Sequence, residues 1–347
     1  MISPFRSLLV VVCLIGGMGS SALAQPDRVQ PVHESSPGEE DEGMFSSVPK
    51  INLLAPTLGG RQFWGDVLFF RGYRIQHHVL SDHYRLLSPA DFRLAWGTEE
   101  ECRAALEEVK REQALLPMSG RAVILLHGII RSSKSFSSLK KNLEKSGRLV
   151  VGFDYPSTRV SMTDAAQYLQ KVIESLEGVE QIDLVCHSMG GLVVRTYLQQ
   201  TGIHRDPRLR RMVMLGVPNT GATMANLLKE NKIFQWTLGP AGQQLIEGDS
   251  EFIASLPVPD FEFAIIAGAR GTEQGWNPLV PGDDDGTISV DSTKLPGAAD
   301  FMTVEALHSS MMWDKVVIQA TERFLETGVL RDSGKREPIP VPVVLYD

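Results

Sequence analysis

The chain has 347 residues, 43% of them hydrophobic and 22% charged, which is enough apolar material for a full core and excludes a disordered or fibrous chain. A formal net charge of -8 argues against nucleic acid as a partner and against strong electrostatic attachment to anionic lipid. With three cysteines, no C-x-x-C and no finger-like spacing, neither a disulfide framework nor a structural metal site is expected.

Residues 1–24 carry Arg6, the apolar stretch SLLVVVCLIGGMG and Ala22-Leu23-Ala24 ahead of Gln25, the pattern of a secretory signal with a small-residue cleavage site. The apolar stretch falls short of the roughly 20 residues a membrane-spanning helix needs. The mature protein is therefore expected to be exported, periplasmic or extracellular, with no stable transmembrane anchor after cleavage. Residues 25–48, including HESSPGEEDEG, are acidic and poor in large apolar side chains, and are expected to form a disordered leader.

Residues 49–120 are expected to form an extension packed on the core. Alternating segments such as YRIQHHV and HYRLL predict short strands or a hairpin. Thr98 followed by Glu101 has capping-box spacing and opens a helix through EEECRAALEEVKREQALL. His77, His78 and His83 lie in this region, but adjacent strand residues point to opposite faces, so structural roles are favoured over a metal cluster.

From residue 121 the pattern becomes regular. RAVILLHG, LVVGFDYP, QIDLVCH, MVMLGVP, FAIIAG and FMTVEAL are short apolar runs separated by helical segments, as expected for strands covered on both faces. The intervening helices place Phe136, Leu139 and Leu143 on one side and Ala166, Leu169, Ile173 and Leu176 on another. The last carries Trp313, Val317, Ala320 and Phe324 at helical spacing and ends near Gly328. The alternation predicts an α/β fold with a mostly parallel central sheet in three layers over residues 121–330, followed by a tail at 331–347.

In such sheets ligands bind beyond the carboxyl ends of the strands. Those ends carry His127-Gly128, Ser188 within LVCHSMGG, Asp283 to Asp285 within GDDDGTISV, and His308. Nucleophile, acid and histidine in this order resemble the α/β-hydrolase family, and within it bacterial lipases and carboxylesterases. The resemblance covers about residues 121–328. It implies a three-layer α/β-hydrolase fold with a small helical cap insertion, and a serine hydrolase that cleaves carboxylic esters through an acyl-enzyme, without metal or cofactor.

Residue by residue, the resemblance makes Ser188 the nucleophile on a strained strand-turn-helix elbow, with Gly190 behind it. Cys186 stands where the family usually has glycine, so the strict motif is not met. His308, the only histidine beyond residue 204, is the expected base. Asp285, just before Gly286, fits the family's Asp-Gly pattern best, with Asp284 and then Asp283 as alternatives. The backbone amides of Met189 and Ile129 are the expected oxyanion donors, and His127 is expected to organise its loop.

Residues 222–260 are expected to form a cap. Leu227, Phe234 and Trp236, with Leu228, Ile233 and Leu238, suit an acyl site or lid and equally a helical satellite on the core. The expected partner is an ester or lipid-like small molecule. The same constellation serves thioesterases and acyltransferases, and a non-catalytic envelope protein on a hydrolase scaffold is the alternative of a different class. Nothing in the sequence identifies a protein partner.

Overall fold

This computed structural model describes residues 55–56, 61–220 and 250–342. The expected signal, the acidic leader and residues 222–249 of the expected cap, with Leu227, Phe234 and Trp236, lie outside the described residues. The described residues belong to one compact unit, Ile51–Asp347.

The segment expected to hold short strands or a hairpin forms a five-stranded sheet whose pairings are all antiparallel. Its strands are β1 (Ala55–Pro56), β2 (Trp64–Phe70), β3 (Tyr73–His78), β4 (Tyr84–Leu87) and β5 (Phe92–Gly97), in the order β1-β5-β4-β3-β2. The β2–β3 hairpin turns on two residues, Arg71 and Gly72, both at positive φ, the geometry whose twist matches the flanking strands. Helix α1 (Glu99–Glu112) opens with the expected capping box between Thr98 and Glu101. It stops short of residue 116 because Ala114 turns left-handed (φ 47°) and the Leu115 amide reaches back to the Lys110 carbonyl, which closes the helix.

The central sheet has six strands: β6 (Gly120–Leu126), β7 (Leu149–Phe153), β8 (Val179–His187), β9 (Leu209–Leu215), β10 (Glu262–Ala269) and β11 (Asp300–Glu305). They run in the order β11-β10-β9-β8-β6-β7, and every pairing is parallel. Between them lie α2 (Ser137–Lys145), α3 (Met162–Glu174), α4 (Met189–Thr201), α5 (Ser250–Ser255) and α6 (Val290–Thr293), with α7 (Lys315–Thr327) last.

Alternate residues of the central strands feed two cores. Ala122, Ile124 and Leu126 join Leu169 of α3 and Leu192 of α4 on one face. Val123 and Leu125 join Leu139 of α2 and Phe324 of α7 on the other. Both faces being covered explains the continuous apolar runs. The result is a three-layer α/β fold with a parallel central sheet, as expected from the sequence.

One detail differs from expectation. Trp313 is not part of the last helix's buried face: it lies in a 3-10 turn, Met311–Trp313, and is 49% exposed. Asp314 caps α7 by accepting from the Val316 and Val317 amides, so the helical spacing cannot extend back to residue 313, and Met311 and Met312 fill the core instead. In the tail beyond α7, Ile339 exchanges backbone hydrogen bonds with Gly297 and Ala298.

Candidate active site

The strand order changes direction between β6 and β8: the chain steps from β6 outward to β7, then returns to pair β8 on the opposite side of β6. A crevice forms beyond the carboxyl ends at such a switch point. His127 and Gly128 follow β6, and Ser188 follows β8, so these groups become neighbours. A methyl group placed on Gly128 would come within 3.0 Å of the Ser188 Cβ and 3.1 Å of His187 Nδ1. Only a residue without a side chain lets the two strand ends approach this closely.

Ser188 sits at φ 54°, ψ -129°, a conformation that L residues rarely adopt, and α4 begins at the next residue. Such strain is sustained only where the surroundings over-determine it. Here the Ser188 amide donates to the Leu215 carbonyl at 2.9 Å, and its own carbonyl accepts from Gly191 at 3.0 Å. A methyl on Gly190 would lie 2.6 Å from the Leu126 carbonyl oxygen, and one on Gly191 would lie 2.5 Å from Val217. Cys186 is fully buried within β8, paired with Leu126 and Met214, and the turn forms with cysteine in that place.

Three consecutive aspartates follow β10, and backbone direction separates them. Asp283 accepts from the Arg270 and Gly271 amides at 2.8 and 3.0 Å. Asp284 accepts from the Asn277 and Gly286 amides at 3.1 and 2.6 Å. Asp285 reaches His308: its Oδ2 lies 2.7 Å from His308 Nδ1. A carboxylate can only accept, so the ring donates from Nδ1 and leaves Nε2 as its basic atom. The other oxygen of Asp285 accepts from the Thr287 and Ile288 amides at 3.0 and 2.7 Å, and the His308 amide donates to the Asp285 carbonyl at 2.8 Å. Gly216 at φ 55° lies under this pair: a methyl there would sit 3.1 Å from His308 Nδ1 and 3.2 Å from Asp285 Oδ2.

His187 ends β8, directly before Ser188. Its Nε2 lies 2.9 Å from the His308 carbonyl, which can only accept, and its ring lies 4.6 Å from the His308 ring. The imidazole therefore carries its proton on Nε2 and ties the elbow to the loop that bears His308. Its Nδ1 has no hydrogen-bond partner among the described residues. Burial, with His308 alongside, holds His187 well below the usual histidine value, so it stays neutral.

His127 is buried and organises its loop as expected. Its Nδ1 donates to the Gly128 carbonyl at 2.7 Å, and its backbone carbonyl accepts from the Tyr155 hydroxyl at 2.6 Å. Ile129 follows in the same loop and Met189 opens α4, so both expected amide donors flank the junction between Gly128 and Ser188. The histidines of the extension have structural partners. His77 contacts the Tyr168 hydroxyl and Asp82, His78 packs on Phe63 and Trp64, and His83 stacks on Trp96. Among the described residues no group of three or more His, Cys, Asp or Glu is arranged to hold a metal ion.

A buried polar cluster beside the His127 loop is absent from the residues expected above. Asp154, directly after β7, accepts from the Ser133 amide at 2.6 Å, the Ser133 hydroxyl at 3.0 Å and Arg74 at 2.8 Å. Its own amide donates to Asp66 at 2.7 Å. Burial pushes the Asp66 carboxyl up to about 7, whereas Arg74 overcomes the burial of Asp154 and holds that carboxyl below its usual range. The position of Asp154 at a strand end was the available signal for it.

Residues 90–239 match the model of a family described as a domain of unknown function, DUF7379. No curated protein matches the chain. Among solved structures, the chain is similar to the Bacillus licheniformis lipase BlEst2 in its mature form at 17% identity, covering 60% of this chain and 91% of that one with a TM-score of 0.46. It is also similar to the lin2722 product of Listeria innocua, at 20% identity, 60% and 95% coverage and a TM-score of 0.42. A thermophilic esterase from Thermogutta terrifontis is similar at 16% identity, 60% and 90% coverage and a TM-score of 0.40.

Proposed function

We propose that the protein is an exported serine hydrolase that cleaves carboxylic esters, of the lipase or carboxylesterase type, through an acyl-enzyme. The observation that carries this reading is the Asp285–His308 pair, whose loop is tied through His187 to the elbow that holds Ser188 at positive φ. A serine hydroxyl is a poor nucleophile until a base takes its proton, and a histidine fixed by a carboxylate at Nδ1 presents Nε2 as that base.

In the proposed reaction Ser188 Oγ bonds to the ester carbonyl carbon while its proton passes to His308 Nε2. The carbonyl electron pair moves onto oxygen, and the amides of Met189 and Ile129 donate to the resulting oxyanion. Collapse breaks the bond to the alcohol, which leaves with the proton from His308. Water then repeats the sequence on the acyl-enzyme, releasing the acid and restoring Ser188. Asp285 stays ionised, holds the ring's orientation and stabilises its charged form. Leu227, Phe234 and Trp236 are proposed to meet the acyl chain.

The experiment is covalent labelling of folded protein by a fluorophosphonate, mapped by mass spectrometry, alongside hydrolysis of 4-nitrophenyl esters of increasing chain length. Labelling at Ser188 and loss of turnover in Ser188→Ala are expected. A folded protein that neither labels nor turns over any ester, thioester or acyl acceptor would favour a binding role. Export is tested separately by sequencing the mature amino terminus from the periplasm or medium, with Gln25 expected first.

A further inference from the structure

The five-stranded sheet lies outside the α/β core, yet its side chains grip the loop that follows β6. That loop, residues 127–133, bears Ile129, whose amide is one of the two oxyanion donors proposed above. Loop amides donate usefully only when held in place before the reaction, because catalysis depends on donors aimed where charge develops.

Two tethers leave the sheet, one at each end of the loop's outer half. The first starts at Gln62, in the 3-10 turn that leads into β2. Its Nε2 donates to the Arg131 carbonyl at 3.3 Å, and its Oε1 accepts from Ser157 at 3.2 Å and Thr158 at 3.1 Å. Ser157 Oγ in turn accepts from the Ile130 amide at 3.0 Å. Ile130 is itself at φ 61°, a conformation unfavourable for a β-branched residue and retained only under external constraint.

The second tether starts at Arg74 of β3, which donates to Asp154 at 2.8 Å while also pairing with Asp91. Asp154 accepts from the Ser133 amide at 2.6 Å and the Ser133 hydroxyl at 3.0 Å. Asp66 of β2 completes the anchor. Its amide donates to the Asp154 carbonyl at 2.8 Å, and its carboxyl accepts from the Asp154 amide at 2.7 Å and from Gln76 at 2.7 Å. Gln76 is fixed in turn by Arg85 at 2.7 Å. These groups are mostly buried and have little freedom to drift.

We propose that the amino-terminal sheet is a positioning device for the oxyanion loop, with Gln62 and Arg74 as positioning residues that fix the Ile129 amide through Ser157 and Asp154. This rests on the proposed esterase reading and adds a role for a segment the core chemistry does not use. Neither residue touches substrate; each acts through the loop.

The test measures kcat, KM and the inhibition constant of a trifluoromethyl ketone, which adds to a serine and generates an oxyanion, for Gln62→Leu, Arg74→Met and Ser157→Ala. Ser157→Ala removes one hydroxyl and serves should the other two fail to fold; far-ultraviolet circular dichroism checks each. Small misplacement of a catalytic group costs up to about 100-fold in rate, so kcat is expected to fall by about 10- to 100-fold with KM nearly unchanged. The ketone should weaken in proportion. Folded variants with wild-type kcat and wild-type ketone affinity would overturn the proposal, even if they melt at lower temperature. Ser188→Ala in the same assay separates the two readings: its inactivity alongside unchanged tether variants removes the positioning role and leaves the esterase reading intact, whereas its retained activity removes both.

Discussion

His308 Nδ1 lies 2.7 Å from Asp285 Oδ2, although the two residues belong to different loops, one after β10 and one after β11. The carboxylate is fully buried and already accepts two backbone amides through its other oxygen, so it cannot rotate away from the ring. Replacing Asp285 by Asn keeps the shape but lets the ring take the wrong tautomer. A loss of about 10,000-fold in kcat is expected for Asp285→Asn. Asp283→Asn and Asp284→Asn should lose far less, since those carboxylates hold their own loop. Steady-state kinetics on one aryl ester distinguishes the three.

The elbow makes a second prediction, about where a small side chain is required. A methyl on Gly190 would stand 2.6 Å from the Leu126 carbonyl oxygen and 2.9 Å from that of His127, both backbone atoms that cannot swing aside. Gly190→Ala is therefore expected to cost about 1–3 kcal/mol and to displace Ser188 from the loop that faces it. Cys186→Ala should keep the elbow and most of the activity, because the turn does not depend on that side chain. Urea denaturation with parallel turnover measurements checks both.

The site was legible in the sequence where chemistry coincides with strand ends. Ser188, His308 and the aspartate run each come after a short apolar run of the kind expected for a buried strand, and parallel topology brings such ends together. Among three identical aspartates the sequence could rank but not separate, because only the backbone direction sends Asp285 toward His308 and folds its neighbours back. The grip of Gln62 and Arg74 on the His127 loop leaves no periodic trace, since it joins residues 69 to 96 positions apart through single side chains. Trp313 shares the apolar spacing of the last helix but precedes Asp314, the residue that caps that helix, so spacing alone extends the helix too far.

The carboxyl-terminal tail is fastened by one buried acid, which supplies a third prediction. Asp300, at the start of β11 and fully buried, accepts from the Leu330 and Glu337 amides at 2.8 and 2.9 Å and from Arg331 at 2.8 Å. Hydrogen bonds to a charged group contribute about 1.5–3 kcal/mol each, so Asp300→Ala, which removes these three, should lower stability by at least that amount. Turnover at 25 °C should change little, because none of these groups borders Ser188 or His308. Faster proteolysis after residue 330, read by mass spectrometry, is the accompanying sign that the tail has come loose.

Two buried groups oppose one another in their pH dependence. His187 is held well below the usual histidine value by burial and by His308. The unfolded chain then takes up a proton below about pH 6.5 that the folded protein refuses, and stability present above that pH is lost on acidification at about 1.4 kcal/mol per pH unit for one proton. Asp66 acts in the other sense. Burial raises its carboxyl from 3.8 to about 7, so its contribution is fully present at acid pH and is lost as pH rises through 7. His187→Gln, which retains a donor for the His308 carbonyl, should therefore flatten the acid limb of the stability curve. Asp66→Asn should gain on wild type as pH rises from 5 to 8. Denaturant unfolding of the three proteins at half-unit pH steps resolves both slopes, and a wild-type curve parallel to the Asp66→Asn curve across that range would mean that Asp66 is already ionised in the fold.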